Sequence, residues 1–445
     1  MKIHILGICG TFMGSLAVLA AKAGMMVSGQ DTAIYPPMST QLLEQGITII
    51  DGYELQDLPS DVDMIVIGNI MRRGVPIVEH ILDQQLAYMS GPEFLAKYIL
   101  RDQHVLAVTG THGKTTTTSI LTWILEYAGL QPGYLIGGVP NNFGISANLG
   151  AGKYFVIEGD EYDCAFFDKR SKFMHYKPQT LVVNNIEFDH ADIFKDLDAI
   201  LMQFHYLLRT MPGSAAVIYR EDDQNIAKLL TLGCWSNKIK FSLQEPYIPL
   251  PATLLGDHNR LNALAAIAAA QQVGVTREIA INALQEFTGV KRRLEQKGSV
   301  GAINVYSDFA HHPTAIAATI SAVRDSIAKQ RRIIAVVDIC SNTMRAGVHK
   351  DTLSAAVAGA DVVYFFHPLN LAWDVQQTWR DSNKPGGTAQ AQDALLNQML
   401  QEVTDGDLVL LMSNGAFDGF AQRLLQELKT PAFMKKLNNY CHDSK

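Results

Sequence analysis

Short apolar runs alternate with longer stretches of helical periodicity along most of the chain. In the N-terminal part the apolar runs cover residues 2–6, 26–30, 48–50 and 64–67. Strands that alternate with helices favour βαβ units and a parallel sheet. The same rhythm restarts at residues 104–108. The sequence therefore predicts an α/β protein.

Breaks in this rhythm indicate where domains begin and end. The first pattern ends near residues 101–103, and a cationic linker at residues 290–294 precedes the last one. A length of 445 residues also suggests about three domains. We expect domains at residues 1–103, 104–290 and 291–445, the last of them a small doubly wound domain. Its predicted strands are residues 303–306, 332–337, 362–366 and 408–412.

The stretch AVTGTHGKTTTTS at residues 107–119 predicts a phosphate-binding loop between a buried strand and a helix. Lys114 brings a cation to the phosphates, and the Thr115 hydroxyl is a ligand for Mg²⁺. The common motif has a further glycine where this chain has Val108. A helix start without a ligand is the alternative. The residues expected to hold a nucleoside triphosphate are Gly110, Thr111, His112, Gly113, Lys114, Thr115 and Thr116.

Acidic and histidine residues follow two more strands of the same pattern. Glu158 comes directly after the apolar run 154–157, and we expect it beside the phosphate loop as a ligand of Mg²⁺. His190 follows the predicted strand 180–184 and is a candidate ligand for metal or phosphate; the alternative is a hydrogen-bonded histidine without a catalytic role. Acidic runs are most often solvated. We therefore expect solvated side chains for the acids that follow Glu158, namely Asp160, Glu161 and Asp163.

The N-terminal strand leads into a second glycine-rich turn at residues 7–14. It lacks the G-x-G-x-x-G spacing, so a dehydrogenase is disfavoured. A helix that begins near Gly10 can still hold a diphosphate through its N–H groups, and Asp31 can accept a hydrogen bond from a ribose. A tight turn without a ligand is the alternative.

Composition narrows the possible functions. The net charge of −7 and the charged fraction of 18% show no basic footprint for nucleic acid. The five cysteines, Cys441 among them, are far apart and form no C-x-x-C, which disfavours a zinc site or a disulfide framework. The N-terminus lacks the layout of a signal peptide, and no run of apolar residues is long enough to cross a membrane. We expect a protein of the reducing cytoplasm that binds small molecules.

Two more polar clusters lie downstream. Asn259 and Asn262 are three residues apart and precede a predicted helix at 263–272. This spacing puts their side-chain amides on one helical face, where they could bind the edge of an adenine. The alternative is that both serve only as helix caps. Arg293 belongs to the cationic linker, and Asp308 follows the strand at 303–306.

Together these residues resemble the Mur ligases, an ATP-dependent family that forms amide bonds in peptidoglycan synthesis. The resemblance covers essentially the whole chain. It implies a Rossmann-like domain that binds a UDP-sugar, a central P-loop ATPase domain and a C-terminal domain that brings the amine. The segments that match the family in order and spacing are residues 109–116, Glu158, His190, residues 256–262, Arg293 and Asp308.

The resemblance also implies roles for these residues. Lys114, His190 and Arg293 would supply charge stabilisation. Thr115 and Glu158 would hold one Mg²⁺, and His190 would hold a second. Asn259 and Asn262 would hold adenine, and Asp308 the ribose. The UDP-sugar would contact Gly10, Thr11, Phe12, Met13 and Asp31, and the amine substrate would contact Ser341, Asn342, Thr343 and Arg345.

Within the family, residues 7–14, 35–40, 167–173 and 341–345 are most similar to one branch. That branch joins the murein tripeptide L-alanyl-γ-D-glutamyl-meso-diaminopimelate to UDP-N-acetylmuramate for peptidoglycan recycling. ATP phosphorylates the lactyl carboxylate, and the tripeptide amine then displaces phosphate. The resemblance thus implies ATP, Mg²⁺, UDP-N-acetylmuramate and the tripeptide as ligands. A monomer is plausible.

Two positions depart from the family pattern. Asp338-Ile-Cys340 stands where this branch is expected to have Glu-Pro-Arg, so a cation for a peptide carboxylate is missing there. Arg345, or the basic run of Lys169, Arg170 and Lys172, is expected to compensate; the alternative is that all these charges are solvated surface residues. His205 occupies the position of a lysine that is carbamylated in several members, so no modified lysine is expected.

Other functions remain open from the sequence. The branch that adds L-alanine to UDP-N-acetylmuramate is the nearest alternative. A P-loop kinase or motor ATPase would share the phosphate loop but would need no UDP-binding domain. A dehydrogenase would use the first domain for NAD. A non-catalytic nucleotide sensor is disfavoured because all the phosphate and metal positions remain chemically competent.

Overall fold

Every strand predicted above is present in the computed structural model, which describes residues 1–35, 38–415 and 417–435. Pro36 and Pro37 of the motif at residues 35–40, and Cys441, lie outside these residues. The chain divides into two compact units. The first comprises Met1–Phe188, Asp196–Pro249 and Leu261–Thr288, and the second comprises Asp189–Lys195, Leu250–Arg260 and the chain from Gly289 onward.

The N-terminal sheet of the first unit has the strand order β3-β2-β1-β4-β5, and all its pairs are parallel. In this order the winding reverses between β1 and β4, so the loops after these strands border a crevice at the carboxyl edge. The elements are β1 Lys2–Leu6, α1 Thr11–Lys22, β2 Met26–Asp31, α2 Met38–Glu44, β3 Thr48–Asp51, β4 Met64–Ile67, α3 Pro76–Asp83, β5 Tyr88–Ser90 and α4 Gly91–Tyr98.

The central sheet, also in the first unit, begins with the strand that feeds the phosphate loop. The elements along this part of the chain are β6 His104–Thr109, α5 Lys114–Tyr127, β7 Gly133–Leu135, β8 Ala147–Asn148, β9 Tyr154–Glu158, the hairpin strands β10 Asp163–Ala165 and β11 Asp168–Ser171, β12 Thr180–Val183, α6 Leu197–Thr210, β13 Ala216–Arg220, α7 Gln224–Leu232, β14 Asn237–Phe241, α8 Asp257–Gln271 and α9 Arg277–Gln285. The hairpin forms a separate two-stranded sheet, and the residues of α8 up to Arg260 belong to the second unit.

The strand order of this sheet is β14-β13-β12-β6-β9-β7-β8, and the pairs are parallel except β7 with β8. Strand β6 therefore lies between β9 and β12. In this register Val108 pairs with Glu158, and Thr109 pairs with Val183. The predicted position of Glu158, beside the strand that feeds the phosphate loop, is confirmed.

The sheet of the second unit has the order β15-β16-β20-β17-β18-β19, with β15 antiparallel and the other pairs parallel. Its elements are β15 Glu295–Val300, β16 Ile303–Asp308, α10 Pro313–Ser326, β17 Ile333–Asp338, α11 Asn342–Arg345, α12 Lys350–Ala356, β18 Val362–Phe366, α13 Val375–Asp381, β19 Gly386–Ala389, α14 Gln392–Glu402, β20 Leu408–Met412 and α15 Asp418–Leu428.

Alternate residues of β17 enter different cores of this unit. Ile334 and Val336 pack in the core that contains residues of α14 and α15, whereas Ile333 and Val337 pack in the core that contains residues of α10 and α12. Helices therefore cover both faces of the sheet. The predicted doubly wound architecture is confirmed.

One predicted helix boundary is wrong. Helix α8 begins at Asp257 rather than at residue 263. Asn259 and Asn262 consequently lie inside the first turns of this helix and do not precede it as caps. The edge strands β14 and β19 were not predicted, because most of their residues are not buried and form no apolar run.

Candidate active site

The phosphate loop connects the carboxyl end of β6 to α5, as predicted. Gly110 and Gly113 have φ angles of +129° and +79°, in the region that favours glycine. Asn185, which follows β12, holds the loop backbone. Its carbonyl oxygen accepts from the N–H of Thr111 at 3.1 Å, and its side-chain oxygen accepts from the N–H of His112 at 2.7 Å. The loop thus has a defined shape set by an adjacent strand.

Lys114 is the first residue of α5, and its ammonium group is buried among acids. Nζ lies 2.7 Å from a carboxylate oxygen of Glu161 and donates to the carbonyl oxygen of Gly110, also at 2.7 Å. Burial lowers the pKa of Lys114, but the negative charges of Glu161, Asp160 and Glu158 outweigh this effect and raise the pKa above its ordinary value. Lys114 therefore remains charged, as a phosphate-binding cation must.

The prediction that the acids after Glu158 are solvated is wrong for Glu161. Its side chain is only 4% exposed because it pairs with Lys114. Asp160 is partly buried and pairs with Lys172 at 2.5 Å, and Asp163 pairs with Lys169 at 2.6 Å. Each of these three acids therefore pairs with a different lysine. Glu161 was missed because its partner lies far away in the sequence.

Thr115 and Glu158 are brought together as predicted for a metal site. The Thr115 hydroxyl donates to Oε1 of Glu158 at 3.0 Å, and the N–H of Gly137 donates to Oε2 at 2.8 Å. A carboxylate and a hydroxyl are the oxygen donors that Mg²⁺ prefers. These two side chains therefore fit the metal expected beside a nucleotide.

Asn262 supports the phosphate loop from within the protein. Its side-chain oxygen accepts from the Thr117 hydroxyl at 3.1 Å and from the side-chain amide of Asn184 at 3.4 Å. A Cβ atom at Gly113 would collide with that oxygen. Glycine is therefore required at Gly113 by space as well as by φ. Contact between Asn262 and adenine remains a prediction.

His190 belongs to the short segment 189–195, which groups with the second unit. Its φ angle is +58°, and its N–H donates to the Asp189 side chain at 2.8 Å. Burial raises the pKa of Asp189, but the charges of His190 and His311 and hydrogen bonds from His190 and Thr343 hold it well below its ordinary value. A buried carboxylate thus orients the backbone at His190. Metal binding by His190 remains a prediction.

The residues predicted to bind the amine lie beside this segment. Asn342 donates from its side-chain amide to Asp192 at 2.9 Å, and the Thr343 hydroxyl accepts from the N–H of Ala191 at 3.4 Å. Ser341 caps α11 by accepting from the N–H of Met344 at 3.3 Å. Asn342 and Thr343 are thereby gathered next to His190, and the exposed Arg345 ends the same short helix.

Asp338 and Cys340, which stand where the family branch is expected to have Glu-Pro-Arg, belong to an internal polar network. The Ser413 hydroxyl donates to Asp338 at 2.6 Å, and the Cys340 thiol donates to the side-chain oxygen of Asn414 at 2.8 Å. Burial raises the pKa of both Asp338 and Cys340, the latter to about 11. These side chains stabilise loops of the second unit and supply no cation there.

Arg293 and Asp308 lie close together in the second unit. Asp308 accepts from the N–H of Leu294 at 2.7 Å and from the N–H of Ala310 at 2.8 Å. The Arg293 guanidinium lies 4.7 Å from the centre of the Phe309 ring, within the range of a cation–π contact. Asp308 thus fixes the chain on both sides of Arg293 and Phe309. Its predicted contact with ribose is untested.

Asn259 lies in the same unit, in the first turns of α8. Its side-chain amide donates to the carbonyl oxygen of Leu255 at 2.9 Å. The predicted adenine contact of Asn259 is likewise untested. His258, next to it, is partly buried, and this burial lowers its pKa despite the charges of Asp308 and Asp257.

A cavity of about 430 Å³ lies in the first unit, where the crevice of the N-terminal sheet was expected. Its lining includes Glu158, which is hydrogen-bonded to Thr115, and Lys172, which follows the hairpin β10–β11. The predicted sugar-nucleotide residues are gathered here. The lining residues from the first domain include Gly7, Cys9, Gly10, Thr11, Phe12, Met13, Asp31, Tyr35, Gly68 and Asn69.

Asp31 lines this cavity but is engaged by the protein itself. It accepts from the N–H groups of Cys9 at 2.8 Å and Ala33 at 3.0 Å, and from the Tyr53 hydroxyl at 3.3 Å. Asp31 therefore fixes the turn after β1. Its contact with ribose remains a prediction.

The basic run at residues 169–172 does not act as one group. The Lys169 side chain is 70% exposed on the hairpin, and Arg170 pairs with Asp168 at 2.8 Å. Lys172 alone of the three lines the cavity. The run therefore separates into two hairpin residues and one cavity residue.

Comparison with known proteins decides the family. Residues 2–103 match the description "Mur ligase family, catalytic domain", residues 108–270 match "Mur ligase middle domain", and residues 292–415 match "Mur ligase, glutamate ligase domain". A UDP-N-acetylmuramate–L-alanyl-γ-D-glutamyl-meso-2,6-diaminoheptandioate ligase from Haemophilus influenzae is 49% identical, covering 96% of this chain and 99% of that protein. The chain belongs to the Mur ligase family.

Solved structures of this family agree with the fold. The murein peptide ligase of Psychrobacter arcticus is 40% identical, with a TM-score of 0.74 and coverage of 96% of this chain and 98% of that one. The UDP-N-acetylmuramate–alanine ligase of Thermotoga maritima has a TM-score of 0.77 at 21% identity, covering 96% and 99% of the two chains, and it bears on the fold alone. The predicted three-domain Mur ligase architecture is confirmed.

Among the described residues, no helix combines the length and the apolar character needed to span a bilayer.

Proposed function

We propose that this chain joins the tripeptide L-alanyl-γ-D-glutamyl-meso-diaminopimelate to UDP-N-acetylmuramate with ATP and Mg²⁺. The observation that carries the proposal is the similarity to the Haemophilus influenzae ligase, whose name states this pair of substrates. A ligase of the same name from Escherichia coli is 48% identical over 97% of this chain. UDP-N-acetylmuramate–L-alanine ligases are more distant, for example 30% identical in Renibacterium salmoninarum.

The reaction needs two anions to approach each other. An oxygen of the lactyl carboxylate attacks the γ-phosphorus of ATP, which gives an acyl phosphate and ADP. The tripeptide amine then attacks the acyl carbon, loses a proton, and inorganic phosphate leaves. The charged, buried Lys114 is suited to stabilise the transferred phosphoryl group. Mg²⁺, held by Thr115 and Glu158, would neutralise further phosphate charge.

The remaining roles are part of the same proposal. We assign the sugar nucleotide to the cavity beside Gly10, Thr11, Phe12 and Met13, because helix α1 begins there and its N–H groups favour an anion. The domains at residues 1–103, 104–290 and 291–445 would bind the UDP-sugar, ATP and the amine in that order. Metal binding by His190, nucleotide contacts of Asn259, Asn262, Arg293 and Asp308, and a cytoplasmic location complete the proposal.

Release of ADP tests the proposal. The purified protein is incubated with ATP and Mg²⁺, with each acceptor alone and with both together. We expect rapid ADP release only when UDP-N-acetylmuramate and the tripeptide are both present. Equal turnover without UDP-N-acetylmuramate would contradict the proposal and favour a kinase or another ATPase.

A further inference from the structure

The cavity that we assign to the sugar nucleotide has an uneven distribution of charge. Asp31, Glu158 and Asp160 contribute carboxylates to its wall, and Lys172 is the sole lysine or arginine among the described lining residues. A sugar nucleotide with a lactyl group brings a diphosphate and a carboxylate into this space. Such a ligand needs a positively charged group near each anion.

Lys172 is held in place from several sides. The backbone N–H of Lys172 donates to the carbonyl oxygen of Tyr162 at 2.9 Å, and the hydroxyl of the neighbouring Ser171 donates to the carbonyl oxygen of Glu161 at 2.7 Å. The side chain is 11% exposed, and Nζ lies 2.5 Å from Asp160. The position of this ammonium group is therefore determined by the segment that follows β9.

Lys172 lies near cavity residues from two different segments, the turn after β1 and the segment after β9. Its Nζ lies 5.5 Å from the ring centre of Phe12, which belongs to the turn expected to hold the diphosphate. Its partner Asp160 is two residues from Glu158 and is close enough to Lys114 to raise the pKa of that lysine. The ammonium group thus stands between the sugar-nucleotide turn and the acids around the phosphate loop.

A stabilising role for the pair with Asp160 does not by itself account for this lysine. Burial of an ion pair costs desolvation energy that the attraction between its charges often fails to recover. In contrast, a carboxylate substrate that approaches Glu158 and Asp160 is repelled by both, and a nearby ammonium group removes that repulsion. The location of Lys172 meets this requirement.

We propose that the Lys172 ammonium binds the lactyl carboxylate of UDP-N-acetylmuramate and places it beside the phosphate loop. In this arrangement the N–H groups at the start of α1 bind the diphosphate. The carboxylate must lie near Glu158 and Lys114 to be phosphorylated. This inference rests on the proposed function. Lys172 was expected from the sequence to bind a carboxylate of the peptide; here it is assigned instead to the lactyl carboxylate of the sugar nucleotide.

Binding calorimetry with two ligands tests this assignment. UDP-N-acetylglucosamine has the same nucleotide and diphosphate as UDP-N-acetylmuramate but lacks the lactyl carboxylate. Lys172→Met should weaken binding of UDP-N-acetylmuramate by about 10- to 100-fold, the range of a lost charge-assisted hydrogen bond, and should change UDP-N-acetylglucosamine binding by less than about 2-fold. Lys169→Met, in the same segment but on the exposed hairpin, should change neither.

The variants also separate binding from folding. In Lys172→Met the partly buried Asp160 loses its cation, so the double variant Lys172→Met with Asp160→Asn is measured in parallel, and the same selective loss is expected in it. Equal weakening of both ligands would place Lys172 at the diphosphate and overturn the assignment. Unchanged affinity for both would overturn it as well. If the unaltered protein does not bind UDP-N-acetylmuramate, the proposed function itself fails.

Discussion

Two partly buried basic side chains, one in each unit, differ in charge. Lys114 at the phosphate loop stays protonated because Glu161 and Asp160 outweigh the effect of burial on its pKa. His258 in the second unit has its pKa lowered, because burial outweighs the carboxylates of Asp308 and Asp257. At neutral pH the first is therefore a cation and the second is an uncharged imidazole.

The difference follows the chemistry that we assign to each region. A transferred phosphoryl group is strongly anionic and requires fixed positive charge, which the acids around Lys114 maintain in a buried place. A base and a ribose are neutral and are recognised by hydrogen bonds, so side chains such as Asn259 and a neutral His258 suffice. Changes at the first region should therefore affect catalysis most, and changes at the second should affect substrate affinity or stability.

The largest effect is expected for Lys114→Met. Loss of the ammonium group removes charge stabilisation of the phosphoryl transfer, so kcat for ADP release should fall at least about 100-fold. Turnover near that of the unaltered protein would contradict the assignment of the phosphate loop.

A double variant separates this loss from unfolding. Lys114→Met leaves Glu161 buried without its cation, which can cost about 3–5 kcal/mol of stability. Adding Glu161→Gln should restore much of the melting temperature, measured by calorimetry, but should not restore turnover. Recovery of activity together with stability would show that Lys114 acts only through the fold.

A smaller effect is expected for Glu158→Gln. The amide is a weaker ligand for Mg²⁺ than the carboxylate, so the Mg²⁺ concentration for half-maximal ADP release should rise about 10-fold. The matched control is Glu126→Gln, on the exposed end of α5. An unchanged Mg²⁺ requirement in Glu158→Gln would remove this residue from the metal site.

Arg345→Ala tests the exposed cation of the second unit. Because Arg345 is exposed, water screens its interaction with a peptide carboxylate, and the KM for the tripeptide should rise only about 5-fold with kcat little changed. Arg345→Lys should retain part of the affinity. A fall in kcat at unchanged KM would contradict a role in peptide binding.

The smallest effect concerns His258 and pH. Its folded pKa lies below the unfolded value near 6.5, so its contribution to stability is present above that pH and is lost as the pH falls, because the unfolded state then binds more protons. Between pH 7.5 and pH 5.5 the melting temperature of the unaltered protein should fall about 2–4 °C more than that of His258→Gln. An equal fall in both proteins would show that His258 is not held neutral by burial.

The sequence predicted those parts of the protein whose signal is local. The apolar runs before Gly110 and after Lys153 marked β6 and β9. The glycines and Lys-Thr of the phosphate loop occur within a few residues of each other, so their arrangement follows from one strand-to-helix turn. Thr115 and Glu158 were paired correctly because parallel strands place their carboxyl ends at one edge.

The rest depends on contacts between distant segments. Nothing near Glu161 in the sequence distinguishes it from Asp163, yet one is buried against Lys114 and the other is paired on a hairpin. In the sequence Lys172 likewise cannot be distinguished from Lys169 and Arg170, and only the fold shows that it lines the cavity. Helix α8 was predicted too short because residues 257–260, its first turn, are all polar and therefore add nothing to the apolar pattern.

Competition between the two candidate amines tests the central claim most directly. UDP-N-acetylmuramate, ATP and Mg²⁺ are supplied with equal concentrations of L-alanyl-γ-D-glutamyl-meso-diaminopimelate and L-alanine, and the amide products are quantified by mass spectrometry at low conversion. The ratio of products gives the ratio of kcat/KM for the two amines. The account predicts that the tripeptide product exceeds the alanine product by at least about 100-fold, which corresponds to roughly 2.7 kcal/mol of discrimination. An equal or larger amount of the alanine product would contradict it and would make the chain a UDP-N-acetylmuramate–L-alanine ligase.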